Sequence, residues 1–213
     1  MTIRRRAILL RCVAASTLIG AAVWTLQTTA ATRQGVNYMV SSHAIPRYVK
    51  ILDFLQRDAH YRLLARQVTA GLRSDEERAL AVFAWTRGHL RRTPAGWPIV
   101  DDHVWHIIIR GYGLEDQMAD VFCALATYAG VPAFWRYLKP FEDGPTLTLS
   151  FTKVDGAWGV FDVAHQVVFD DAQGRLLAVE TLVHDPALAD AVAGNIRPAG
   201  LPYSQYLALL QPF

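Results

Sequence analysis

The apolar period of this chain changes once, at Gly130-Val131-Pro132, and that change limits the folds open to it. Before it, apolar residues recur at helical spacing. Residues 46–70 place Val49, Leu52, Leu55, Leu63, Leu64 and Val68 on an amphipathic helix that Gly71 ends. Ser74-Asp75-Glu76-Glu77 forms a capping box, and the helix behind it carries Leu80, Val82, Phe83, Trp85 and Leu90. Pro94, Gly96 and Pro98 mark a loop. Val104 to Ile109 is a short helix or strand, broken by Gly111-Tyr112-Gly113. A second long helix runs from about Leu114 to Ala129, with Met118, Ala119, Phe122, Leu125, Ala126 and Ala129 on one face. After Pro132 the signals are those of strands: 133–138, 146–154, 158–163 and 166–169, with Asp155-Gly156 as a hairpin turn. A last helix is expected over 204–210. Helices first and an antiparallel sheet afterwards define an α+β fold.

Charge separates the chain into a leader and a body. Residues 1–31 hold Arg4, Arg5, Arg6 and Arg11 and no acid. Without those four, 17 basic residues face 19 acids, a balance of −2. The leader reads as a basic start, an apolar run from Cys12 to Trp24, and the small residues Thr29-Ala30-Ala31. This is the pattern of a signal peptide or of an uncleaved anchor over about residues 7–26. Either way the basic end stays cytoplasmic and the body, residues 35–213, is exported, to be periplasmic or held at the membrane. The membrane is expected to meet the protein only through this N-terminal segment. The acidic body and the lack of any DNA- or RNA-binding motif give no nucleic-acid partner.

The chain has two cysteines, Cys12 in the leader and Cys123 in the body, so the body has no internal disulfide. His103 and His106 are three apart, but no further ligand joins them, and neither a metal nor an organic cofactor is expected.

Three segments in order resemble the transglutaminase-like superfamily. Residues 74–85 resemble the helix before its active site. Arg110-Gly111-Tyr112-Gly113-Leu114-Glu115-Asp116-Gln117-Met118 onward, closing at Gly130-Val131-Pro132-Ala133, resembles its catalytic helix. Val154-Asp155-Gly156-Ala157-Trp158-Gly159-Val160-Phe161-Asp162 resembles the hairpin that carries its catalytic Asp. The resemblance spans about residues 60–170. It implies a papain-like fold and a Cys–His–Asp triad, with the Cys at the N-terminus of the helix.

The chain departs from that triad at two places. Counting back from Gly130, the Cys position falls on Glu115. Counting back from Trp158, the His position falls near Leu147, flanked by Thr146 and Thr148, and no histidine occurs between Ala133 and Ala164. Asp162 matches the Asp. Cys123 lies eight residues past Glu115, roughly 12 Å along a helix, too far in for its terminus to stabilise a thiolate. His165, three residues after Asp162, faces the opposite side if the strand continues, and is not expected to replace the missing base.

Three functions stay open. The first is a degenerate, inactive transglutaminase-like domain that binds a glycan, a peptide or a protein at the cell envelope. Trp105, His106, Tyr112, Asp116, Gln117 and Trp158 are its binding candidates, and Glu115 is then locked by a cap or by an arginine such as Arg110 or Arg136. The second is a hydrolase in which Glu115 and Asp162 pair across an open cleft to cut a glycosidic or amide bond. The third is a thiol hydrolase using Cys123.

Overall fold

The computed structural model describes residues 3–101 and 103–210. Helix α1 (Ile3–Gln27) contains the apolar run, and its Leu10–Gln27 portion is 18 residues long with none of it buried. At 1.5 Å per residue that portion is about 27 Å, close to the thickness of a bilayer core. Strands β1 (Thr29–Val36) and β2 (Met39–Pro46) follow as an antiparallel hairpin. Its two turn residues, Asn37 and Tyr38, both have positive φ, as a two-residue I′ turn requires. The sequence reading left this stretch unassigned and began the body near Gly35. An aromatic in the left-handed region is rare, so Tyr38 hid the turn.

Helix α2 (Arg47–Val68) agrees with the helical spacing, but only Tyr61 and Ala65 of it are fully buried. Helix α3 (Asp75–His89) starts at the expected capping box, with Glu77 N donating to Ser74 Oγ (3.1 Å) and Ser74 N to Glu77 Oε2 (3.0 Å). Short strands β3 (Arg91–Arg92) and β4 (Val100–Asp101) lead to helix α4 (Val104–Arg110). Gly111 ends α4 at φ 73°. Strand β5 (Tyr112–Gly113) pairs in parallel with β3 and delivers the chain to helix α5 (Glu115–Tyr128).

The main sheet is antiparallel, in the order β6 (Ala133–Leu138), β7 (Leu147–Val154), β8 (Ala157–Asp162) and β9 (Val167–Val168). Each lies within one residue of its sequence-read range at both ends. Helices α6 (Val179–His184), α7 (Pro186–Ala193) and α8 (Tyr203–Leu207) close the chain. The pleat of β7 explains the layering. Leu147, Leu149 and Phe151 point to one face and pack with Tyr203, Tyr206 and Leu207 of α8. The other face lies against α5, whose Phe122 meets Phe83 of α3 and Phe161 of β8. The sheet is thus covered on both sides. The sequence reading missed α6 and α7, whose short apolar stretches carry no full helical period.

Phe122 is wholly buried where α3, α5 and the sheet meet. Phe122→Ala is expected to cost about 3–5 kcal/mol by leaving a cavity, seen as a lower urea midpoint with an unchanged slope.

Candidate functional site

A cleft of about 440 Å³ opens at the head of α5. Tyr38 from the first hairpin, Arg92, Thr93, Gly113, Leu114, Glu115, Asp116, Tyr137, Thr146 and Thr148 line it. Gly113 is needed there, because a Cβ would come within 3.0 Å of the Gln117 side chain. Tyr137 lies directly across from Thr148 in the β6–β7 register. Leu147, which the count from Trp158 had selected, turns its side chain into the back core and is fully buried. On the cleft side the flanking positions are hydroxyls, not imidazoles.

Glu115 is the first residue of α5, where the helix dipole favours an anion. Its carboxylate accepts a hydrogen bond from the guanidinium of Arg92. The expected arginine partner is therefore present, but it is Arg92. Arg110 instead donates to the carbonyls of Tyr112 and Val100.

Asp162 ends β8 and is completely buried. Its carboxylate accepts from His165 N (2.9 Å), from His165 Nδ1 (2.9 Å) and from the Tyr203 hydroxyl (2.8 Å). With three donors turned on it, the carboxylate is the common acceptor and Nδ1 of His165 carries a proton. Here the sequence expectation needs correction. The strand stops at Asp162, so period-two alternation no longer applies. The chain turns, Gln166 takes φ 61°, and His165 comes back onto Asp162. The hydrogen bond to Asp162 raises the His165 pKa, burial opposes it, and the negative charges of Asp162 and Glu115 add to the rise. Arg92 pulls the other way. Burial, then Asp162, holds the Tyr203 hydroxyl well above its ordinary value.

Glu115, His165 and Asp162 therefore share one electrostatic neighbourhood, but not as an open carboxylate pair. Asp162 does not line the cleft and no solvent reaches it. The pairing across a shared cleft that the second function needs is absent, because Asp162 is spent on orienting His165. Cys123 is 7% exposed in the helical core, and burial pushes its thiol up to about 12. It sits far from a thiolate at neutral pH.

Of the six expected binding residues, Asp116 lines the cleft and accepts from the Tyr137 hydroxyl (2.7 Å) and from Gln117 N (2.8 Å). Gln117 is buried and structural: its Oε1 accepts from Leu114 N and its Nε2 donates to Val100 O (2.7 Å). Trp105 does not line this cleft; it stacks on His60 at 4.6 Å and binds α4 to α2. His106 lies on α4 beside His103, with ring centroids 6.0 Å apart. Tyr112 packs edge-on against Trp97 at 5.0 Å under Arg110. Trp158 packs on Phe134 at 4.9 Å. Trp105, Tyr112 and Trp158 pack against other parts of the chain, His106 meets the N-cap of its own helix, and the aromatic lining of the cleft is Tyr38 and Tyr137. Both were missed, Tyr38 with its hairpin and Tyr137 because it reads as one more strand residue.

The fold is of the α+β class, helices followed by an antiparallel sheet. The sequence model of the Transglutaminase-like superfamily matches residues 62–161, so the chain carries a domain of that kind. Among solved structures, the chain is similar to a candidate cysteine protease from Cytophaga hutchinsonii, at 15% identity and TM-score 0.43, covering 56% of this chain and 40% of that one. It is also similar to a candidate protease from Parabacteroides distasonis, at 12% identity and TM-score 0.41, covering 62% and 35%. A TGase matches at 16% identity and TM-score 0.38, covering 69% and 46%. The chain thus spans less than half of each of these proteins. No curated protein sequence matches it.

Two outcomes follow from the site. The folded His165 pKa lies above its ordinary 6.5, so the contribution of its ion pair is full below that value and is lost as pH rises through the folded one. The stability gap between the wild type and His165→Gln should be wider at about pH 5.5 than at about pH 8.5, measured by urea denaturation. Second, Glu115→Cys in a Cys12→Ser background puts a thiol at the helix end beside His165. Its pH–rate profile with iodoacetamide should give a pKa below the ordinary value of about 8.5; an ordinary value would mean that His165 and the helix end do not act there.

Proposed function

We propose that this protein is a membrane-tethered transglutaminase-like domain that binds its ligand without thiol chemistry. The observation that carries the reading is Glu115 at the head of α5, bonded to Arg92, with a negative charge whose field reaches His165 of the His165–Asp162 pair. A thiol enzyme of this fold sets a thiolate against an imidazolium. Glu115 supplies the same negative charge in the same field and removes the nucleophile. His165 is bonded to Asp162, and that bond together with the negative charges of Asp162 and Glu115 favours its protonated form.

The cleft supports binding. It offers two carboxylates, one guanidinium, two phenols and three threonine hydroxyls within about 440 Å³. That is a hydrogen-bonding surface suited to a peptide or a glycan, at the size of ordinary ligand pockets. Tethering by α1 is supported at its junction with the body. Thr28 O accepts from Arg47 N (2.9 Å) and Ala31 O accepts from Lys50 Nζ (2.6 Å). Cleavage after Ala31 would cut β1 and remove both contacts, so α1 is read as a retained anchor and the domain as exported to the envelope.

The test uses the full chain in detergent against arrays of peptides and cell-wall oligosaccharides. A ligand should bind without turnover, binding should weaken about tenfold or more in Asp116→Ala, which strips a charged group from the cleft, and iodoacetamide should change nothing. Turnover abolished by Glu115→Gln would overturn the reading in favour of carboxylate catalysis.

A further inference from the structure

The first two turns of α2 are exposed although they are apolar. Tyr48, Ile51, Leu52 and Leu55 recur at i, i+3, i+4 and i+7 and form one stripe, and Leu52 is 60% exposed. Phe54 beside them is equally open. The second half of the same helix is different: Asp58 pairs with Arg62, and Tyr61 and Ala65 enter the core.

Charge divides at the same point. The chain has no acidic residue before Asp53, whereas Arg33, Arg47 and Lys50 follow the apolar helix. Position agrees as well. The backbone bond from Arg47 N to Thr28 O sets the start of α2 beside the end of α1, one residue past Gln27. Trp24 stands exposed in the last turn of α1, where interfacial tryptophans sit. An apolar stripe, the cations Arg47 and Lys50 against a single acid, Asp53, that is paired with Arg57, and a place at the mouth of a spanning helix together describe an interfacial helix.

We propose that residues 47–55 of α2 lie in the membrane interface, with Tyr48, Ile51, Leu52 and Leu55 at the acyl boundary and Arg47 and Lys50 among anionic headgroups. This rests on the reading of α1 as a retained tether. It extends membrane contact beyond the N-terminal segment and fixes how the domain stands on the bilayer.

The full chain, reconstituted at about one copy per vesicle in phosphatidylcholine–phosphatidylglycerol, carries one bimane label and is probed with nitroxide lipids. Labels are placed at the natural Cys12, at Leu52→Cys and at Gln173→Cys, the last two in a Cys12→Ser background; Cys123 is buried and unreactive. The expected result is strong quenching at 12 and 52 and none at 173. Ile51→Glu should abolish quenching at 52 and leave it at 12, and replacing phosphatidylglycerol by phosphatidylcholine should weaken it. Quenching at 12 without quenching at 52 overturns the proposal and leaves the tether. Quenching at 52 without quenching at 12 removes the tether and, with it, the place at the mouth of a spanning helix, and overturns the proposal. A label at 52 shielded only as protein concentration rises, with no lipid quenching, overturns the proposal in favour of a second copy of this chain on the stripe.

Discussion

The Asp162 carboxylate joins three parts of this protein that would otherwise meet only through apolar contact. It terminates β8, accepts from the backbone N–H and the ring Nδ1 of the turn residue His165, and accepts from the hydroxyl of Tyr203 from α8. A fully buried carboxylate costs several kcal/mol unless such donors surround it. Its three partners therefore cannot be moved independently. The turn after β8, the docking of α8 on the back of the sheet and the aim of His165 toward α5 are one coupled arrangement. Apolar packing around Phe169 and Tyr206 supplies the bulk of the attraction in the back layer, while Asp162 fixes its geometry.

That arrangement makes sense of Glu115. A histidine held by a buried aspartate, partly buried itself, needs a negative neighbour on its other side if it is to stay charged. A thiolate can meet that need, and so can a glutamate at the first position of α5, where the helix end adds its own field. Arg92 then balances Glu115 from the cleft rim. Glu115 thus places a negative charge at the head of α5 whose field reaches His165, with Arg92 beside it as the counter-charge.

How much of this could be read from the sequence depends on whether a signal was local. The capping box at Ser74, the face of α5 and the Asp155-Gly156 turn are short-range patterns, and the structure matches each. So is the count that places Glu115 at the head of α5. The errors come where a regular period stops. His165 was assigned by strand alternation, yet β8 ends three residues earlier. Leu147 was chosen by counting, yet the pleat turns Thr146 and Thr148 to the cleft. Arg92 and Tyr38 reach the site through a two-residue strand and a hairpin tip, and nothing in their own neighbourhoods announces it. The aromatic residues Trp105 and Tyr112 look like a lining by proximity in sequence, but Trp105 stacks on His60 of α2 and Tyr112 packs edge-on against Trp97.

The hairpin that went unread also sets the distance over which the domain works. Its base is bonded to the start of α2, beside the end of α1, and its tip places Tyr38 in the cleft. Eight residues of strand span about 26 Å. The pairing of Gly35 with Asp101 holds the tip against the body, and only glycine allows it, since a Cβ at that position would fall 2.9 Å from Asp101 Cβ. The hairpin is thus a strut with one end beside the end of α1 and the other at the site, and its eight-residue strand sets the cleft at most about 26 Å from that helix end.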